Sequence, residues 1–155
     1  MKVIIGRVMK DNYTVKSQEP LPTGQEVFIV TKMDAEDVYY LAKTLAGRGE
    51  AEKAFQILKE FEEVILKKFY VPYSEAIISP LLRLGRVEEA LEIAKRIEED
   101  RDRDFAFICI AFYVFNRQSD LEKAMEIINK VQDKERRACG ELLLRLGWAK
   151  REGYI

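Results

Sequence analysis

Histidine is absent from this 155-residue chain, so the commonest general base and the commonest metal ligand of proteins are both missing. A serine or cysteine nucleophile would then need help from a lysine or a carboxylate. The acidic runs Glu62-Glu63 and Glu98-Glu99-Asp100 are expected on solvent-facing sides of helices, because charge runs are usually solvated surface. We therefore expect no enzyme, no metal site and no cofactor.

Cysteine is scarce, with only Cys109 and Cys139 in the chain. Both lie in apolar stretches with helical periodicity, so we expect reduced cysteines in the core. A disulfide between them would require their two helices to be neighbours, and a cytosolic setting disfavours one.

Long hydrophobic runs are also missing. The longest apolar run, Phe105 to Phe115, is too short to cross a bilayer and suits a buried helix. The apolar start at residues 1–5 is interrupted by Gly6 and Arg7, so we expect no signal peptide and a cytoplasmic protein without a membrane partner.

Neither sign of charge predominates. The net charge of -1 weighs against a duplex nucleic-acid partner, whose binding depends on clustered basic residues. A charged fraction of 34% with few Asn and Gln favours a thermophilic source.

A nine-residue pattern occurs three times, at 49–57, 85–93 and 119–127. Its form is Gly/Ser-x-x-Glu-x-Ala-x-x-Ile, with offsets of 36 and 34 residues between copies. A period near 35 that joins two helices is typical of helical-hairpin repeats. The glutamate suits a helix N-terminus, and the alanine allows two helices to approach closely. We call this pattern the repeated frame.

The first 32 residues differ from the rest, since many of them are β-branched and glycine and proline interrupt them. We expect strands at about 2–9, 13–17 and 25–31, with a hairpin turn at Asp11-Asn12 and an extended loop over 17–24. Together they would form a three-stranded β-meander domain at 1–32, followed by a helical domain at 34–155.

The helical domain is predicted to contain seven helices. Asp34 is expected to cap the first, Ser119 and Glu122 are expected to form a capping box, and Pro80 is expected to kink the third helix. The alternative for Pro80, a helix that begins there, would be very short. The expected helices span about 35–46, 50–69, 73–84, 87–99, 102–115, 120–132 and 134–148.

A second repeated stretch gives the expected role of the last helix. Leu81 to Gly85 recurs as Leu143 to Gly147, which would give Gly147 the frame position. A lone terminal helix would then cap the open end of a helical stack.

The frame resembles that of the tetratricopeptide family and of related archaeal helical-repeat proteins. The resemblance covers about 35–148 and implies a mainly α protein, an α-solenoid of three helical hairpins and a capping helix. The chain departs from the family at Ile78 and Phe112, where a small residue is expected, and has a proline between repeats only at Pro72. The matching residues are Gly49, Ala54, Phe61, Gly85, Val87, Ala90, Ile97, Ala124 and Val131.

Residues 1–31 are also similar to a family of short β-stranded antitoxins, through Val3 to Val8, Tyr13 to Val15 and Leu21 to Val27. This second resemblance implies a dimeric regulator that assembles through its N-terminal strands. A plain β-meander is the alternative.

The resemblance to tetratricopeptide repeats implies a binding module that holds a protein or peptide partner in the concave face lined by the first helix of each hairpin. Tyr and Arg are the residue types that anchor interfaces. The candidate partner-binding residues on those helices are Tyr39, Tyr40, Lys43, Tyr73, Arg83, Tyr113 and Arg117.

Overall fold

The computed structural model of the protein contains a small sheet and a larger helical part. In the sheet, β1 (Lys2–Val8) pairs antiparallel with β2 (Val15–Ser17) and parallel with β3 (Val27–Val30). A meander would pair each strand with the next one along the chain, so the order β2-β1-β3 does not confirm the predicted meander. The predicted Asp11-Asn12 turn and Asp34 cap lie outside the described residues. The structure describes residues 2–8, 15–17, 27–30, 35–62 and 72–155.

From residue 35 onward the described chain is helical, which confirms the mainly α class. The continuation of the second helix, predicted to reach residue 69, lies outside the described residues after Glu62. Two π-helical turns complete the helices: Ser74–Ile78 leads into the third, and Val114–Gln118 extends the fifth. The α-helices are α1 (Ala35–Gly47), α2 (Ala51–Glu62), α3 (Ser79–Arg83), α4 (Val87–Arg96), α5 (Asp100–Tyr113), α6 (Leu121–Ile128) and α7 (Lys134–Arg151).

Pro80 is accommodated by the π-helical turn that precedes it. The backbone N–H of Ser79 donates to the carbonyl of Ser74, five residues earlier, as in a π-helix. Pro80 therefore lies in the first turn of α3, where a missing N–H removes no α-helical hydrogen bond.

Each copy of the repeated frame begins with a residue in the left-handed conformation. The φ angles of Gly49, Gly85 and Ser119 are 82°, 74° and 56°. The predicted Ser119 capping box is wrong, because the N-cap of α6 is Asp120, whose carboxylate accepts from the Lys123 N–H at 2.8 Å. The first frame position thus closes the turn before the helix, and its left-handed backbone favours glycine.

Replacing Ser119 with glycine is expected to stabilise the protein by about 1 kcal/mol, because a non-glycine residue in the left-handed region is strained. The measurement is thermal unfolding followed by circular dichroism. Ser119→Ala is the matched control: it removes the hydroxyl, keeps the Cβ and should give no gain. An equal gain in both variants would show that the hydroxyl, not the backbone, determines the effect.

The core is continuous from α1 to α7. The frame alanines Ala54, Ala90 and Ala124 are fully buried, as expected of small residues between close helices. Helix α1 contacts both α2 and the turn Ser74–Ile78, which in turn contacts α5. Helix α5 packs on α4, α6 and α7, so one apolar interior joins the described helices.

The structure corrects the predicted end of the helical domain. Gly147 lies inside α7 against the Phe115 ring, and the left-handed position is taken instead by Gly153, with φ 77°. The outer face of α7 exposes Leu142, Leu143 and Leu146 as well as charged residues such as Glu135 and Lys150. That α7 caps a helical stack stays a prediction.

Candidate functional site

Three of the seven candidate residues meet in one groove. Arg83, Tyr113 and Arg117 line a cavity of about 690 Å³ between α3 and the helix formed by α5 and the π-helical turn after it. We call it the arginine groove. Its lining consists of Ser79, Leu82, Arg83, Cys109, Phe112, Tyr113, Asn116 and Arg117.

Helical spacing places these side chains on two facing stripes. On one side, Ser79, Leu82 and Arg83 follow the i, i+3, i+4 pattern of one helix face. On the other side, the lining residues from Cys109 to Arg117 recur at the same intervals along α5 and its π-helical extension. Leu82 and Phe112 supply apolar walls, and both arginines lie in the last turns of their helices.

The electrostatics of the arginine groove are one-sided, because its lining contains two guanidinium groups and no carboxylate. Both arginines are exposed, and neither belongs to the ion pairs found among the described residues. The groove also offers the hydroxyls of Ser79 and Tyr113 and the amide of Asn116 as hydrogen-bond donors. This set of donors suits a ligand that carries a carboxylate or another oxyanion.

The cysteines differ in environment, and the prediction that both are core residues is wrong for Cys139. Both thiols are free; Cys109 is half-buried and Cys139 is exposed. Burial raises the pKa of the Cys109 thiol to about 11, and the charges of Asp102 and Glu75 add to the rise. Cys109 therefore presents a neutral, unreactive thiol to the arginine groove.

Alkylation with iodoacetamide at pH 8 should therefore label Cys139 and spare Cys109. With a pKa of about 11, the thiolate fraction of Cys109 is about a thousandth at that pH. Mass spectrometry of tryptic peptides after a time course measures both sites, and denatured protein is the control in which both react. Comparable labelling of both cysteines in the folded protein would contradict this account of the groove wall.

A second groove, of about 610 Å³, lies at the start of α5. It carries charges of both signs, and two of its carboxylates already have structural partners. Glu99 is the N-cap of α5, where it accepts from the Asp102 N–H, and Asp102 binds the segment before α3. The groove is lined by Pro72, Ser74, Glu75, Glu99, Arg101, Asp102, Phe105 and Arg136.

Two buried aspartates on α5 hold the N-terminal ends of two other helices. The carboxylate of Asp102 accepts from the Tyr73 N–H at 2.6 Å, the Ser74 N–H at 3.3 Å and the Ser74 hydroxyl. Asp104 accepts from the N–H groups of Gln132 and Asp133 at 2.8 and 2.9 Å, just before α7. Both aspartates are only 2% exposed; the bonds to Asp102 are buried, and those to Asp104 are partly buried. Sequence analysis missed them, although the alternation Asp100-Arg101-Asp102-Arg103-Asp104 marks the place.

The other candidate residues lie outside the arginine groove. Lys43 donates to the Tyr39 hydroxyl at 3.0 Å, and Tyr40, 56% exposed, meets the Tyr39 ring edge-on. The prediction that Tyr73 binds a partner is corrected, because this side chain is only 7% exposed. Its hydroxyl donates a hydrogen bond to Glu62 at 3.0 Å. Burial and Glu62 together raise the pKa of the Tyr73 hydroxyl. Tyr73 is thus a core residue and offers no binding surface.

Comparison with protein-family models, with curated proteins and with solved structures finds no match for this chain. Within the described part of the chain, no three Cys, Asp or Glu side chains are grouped as metal ligands would be. Across residues 35–62 and 72–155, none of the helices has both the length and the apolar character required to span a membrane.

Proposed function

We propose that the chain is an α-solenoid of three tetratricopeptide-like hairpins followed by α7, and that it acts as a non-enzymatic module for binding a protein segment. The hairpins are α1 with α2, α3 with α4, and α5 with α6. Left-handed residues at 49, 85 and 119 turn each first helix into the second, which supports a common repeat.

Contacts between successive hairpins support stacking. The second helices are joined by ion pairs, Arg96 to Glu52 between α4 and α2, and Lys123 to Glu88 between α6 and α4. The first helices are joined through the turn Ser74–Ile78, which contacts both α1 and α5. In such a stack the first helices line one face, and the arginine groove lies on that face.

The observation that carries the proposal is the meeting of Arg83, Tyr113 and Arg117 in a groove whose lining has no carboxylate. In a chain with 26 basic and 27 acidic residues, a lining of this size with one sign of charge favours an acidic partner. The arginines would bind carboxylates in the two-pronged geometry that guanidinium allows, while Leu82 and Phe112 would receive an apolar side chain. The partner we propose is an extended protein segment that carries acidic and apolar residues.

The test is binding to a peptide library in which Glu flanks Leu or Phe, with Gln in place of Glu in a matched library. We expect the Glu library alone to yield ligands, and Arg83→Ala with Arg117→Ala to weaken their binding about tenfold or more, since bonds to charged groups are worth about 1.5–3 kcal/mol each. Fluorescence anisotropy measures the affinity.

The matched control is Arg48→Ala with Arg145→Ala, which removes two exposed arginines outside the groove. Equal loss in both double variants would mean that bulk charge, not the groove, binds the peptides. Binding of the Glu library that survives in the groove variant would overturn the assignment.

A further inference from the structure

An apolar stripe runs along the outer face of α7. It consists of Cys139, Leu142, Leu143 and Leu146, all exposed, and we call it the α7 stripe. The three leucines are 56%, 49% and 46% exposed. Their spacing of i, i+3, i+4 and i+7 is that of a helix face that packs on another helix.

The stripe is separate from the face by which α7 packs on its own chain. That inner face contains Gly140 and Leu144, both buried, and Gly147, which lies against Phe115. The other large exposed apolar side chains of the described helices are single ones on different helices, such as Tyr40 on α1 and Phe105 on α5. A contiguous exposed row of apolar side chains is typical of an interaction site.

The arrangement of the stripe is symmetric. The intervals between its four residues are three, one and three, so the row has the same spacing in either direction. Four residues before it stands Glu135 and four residues after it stands Lys150, both exposed. The two ends of the face therefore carry opposite charges.

We propose that the α7 stripe is the contact between two copies of this chain, with the two α7 helices antiparallel about a two-fold axis between Leu142 and Leu143. In this register Cys139 lies opposite Leu146 of the other copy, and the central leucines meet. Cys139 is then covered in the dimer, so its alkylation is expected in dilute, monomeric protein. Glu135 of each copy then lies near Lys150 of the other. A parallel pair would place glutamate beside glutamate and lysine beside lysine, so charge complementarity selects the antiparallel arrangement.

Sedimentation equilibrium of the full chain tests the proposal. We expect a concentration-dependent dimer, and Leu142→Gln with Leu146→Gln should shift the protein to monomer. Leu84→Gln, which changes a 49% exposed leucine at the end of α3, is the matched control and should leave the dimer unchanged. Circular dichroism verifies that each variant keeps its helices.

Charge reversal tests the orientation. Glu135→Lys or Lys150→Glu alone should weaken the dimer about fivefold, because each creates two like-charge contacts across the axis. The double variant restores both pairs and should recover the original affinity. A Leu142→Cys variant in a Cys139→Ser background should also form a disulfide-linked dimer on oxidation, because the two introduced thiols would face each other at the axis.

Three results would overturn the proposal. A monomer at every concentration would exclude the dimer, and a dimer that survives Leu142→Gln with Leu146→Gln would place the contact elsewhere, such as on the N-terminal strands. Failure of the double charge reversal to restore affinity, together with no cross-link in the Leu142→Cys variant, would exclude the antiparallel register. None of these results depends on the arginine groove.

Discussion

Substitution of Asp102 by alanine should lower the free energy of unfolding by about 3 kcal/mol, because it leaves buried hydrogen-bond donors without an acceptor. The carboxylate accepts from two backbone N–H groups and one hydroxyl of residues 73 and 74 and thereby ties α5 to the π-helical turn before α3. Its loss would leave these groups unsatisfied at a site that is 2% exposed. Urea unfolding followed by circular dichroism measures the change.

The matched control is Asp100→Ala, which removes an exposed aspartate from the same helix. Asp100 pairs with Arg103 on the surface, where an ion pair contributes at most about 1 kcal/mol. Similar losses in the two variants would show that the buried hydrogen bonds of Asp102 add little. A large loss confined to Asp102→Ala would establish them as the link between α5 and the start of α3.

The pH dependence of this effect has a definite sign. Burial raises the pKa of Asp102, and this outweighs the hydrogen bonds from Ser74 and Tyr73, which lower it. The folded state therefore holds this proton more tightly than the unfolded chain does, so the contribution of Asp102 to stability is largest below its unfolded pKa and falls as pH rises through its folded pKa. The stability of the native protein relative to Asp102→Asn should accordingly grow as the pH is lowered from 7 to 4.

The helices could be predicted because each has local determinants. The repeated frame marks where α2, α4 and α6 begin. The helix ends were less well predicted, because α4 ends at Arg96 instead of about residue 99 and α6 ends at Ile128 instead of about residue 132. Glycine at the first frame position also predicts a turn, and the structure gives that position a left-handed backbone in all three copies, including Ser119. The capping box failed at this residue because Ser119 and Asp120 are both good caps by residue type, and only the backbone conformation distinguishes them.

The features that sequence missed depend on contacts between distant segments. Nothing local distinguishes Asp102 and Asp104 from Asp100, because the difference lies in the N–H groups that the fold brings to them. Gly147 was misassigned for a similar reason, since its five-residue match to Leu81–Gly85 is local and its contact with Phe115 is not.

The candidate site was partly predictable. Arg83, Tyr113 and Arg117 were chosen by residue type and helix, and the structure places them in one groove. Tyr73 was chosen by the same rule and lies in the core, because a tyrosine hydroxyl with a partner such as Glu62 is readily buried. Whether a tyrosine faces outward depends on which side of its helix packs against the core. When apolar residues lie on several sides of a helix, their periodicity does not show which side that is.

Replacing Ala90 with leucine should destabilise the protein by about 2–3 kcal/mol, because a larger side chain overpacks the space between helices. Ala90 is fully buried on the inner face of α4, at the frame position that Ala54 and Ala124 occupy in α2 and α6. Glu92→Leu adds a leucine to the exposed face of the same helix and is the matched control, with an expected change within about 0.5 kcal/mol. Urea unfolding of both variants compares them directly. If Ala90→Leu were as stable as the native protein, the frame alanine would not be a close-packing residue, and the physical basis for treating the three frames as one repeat would be lost.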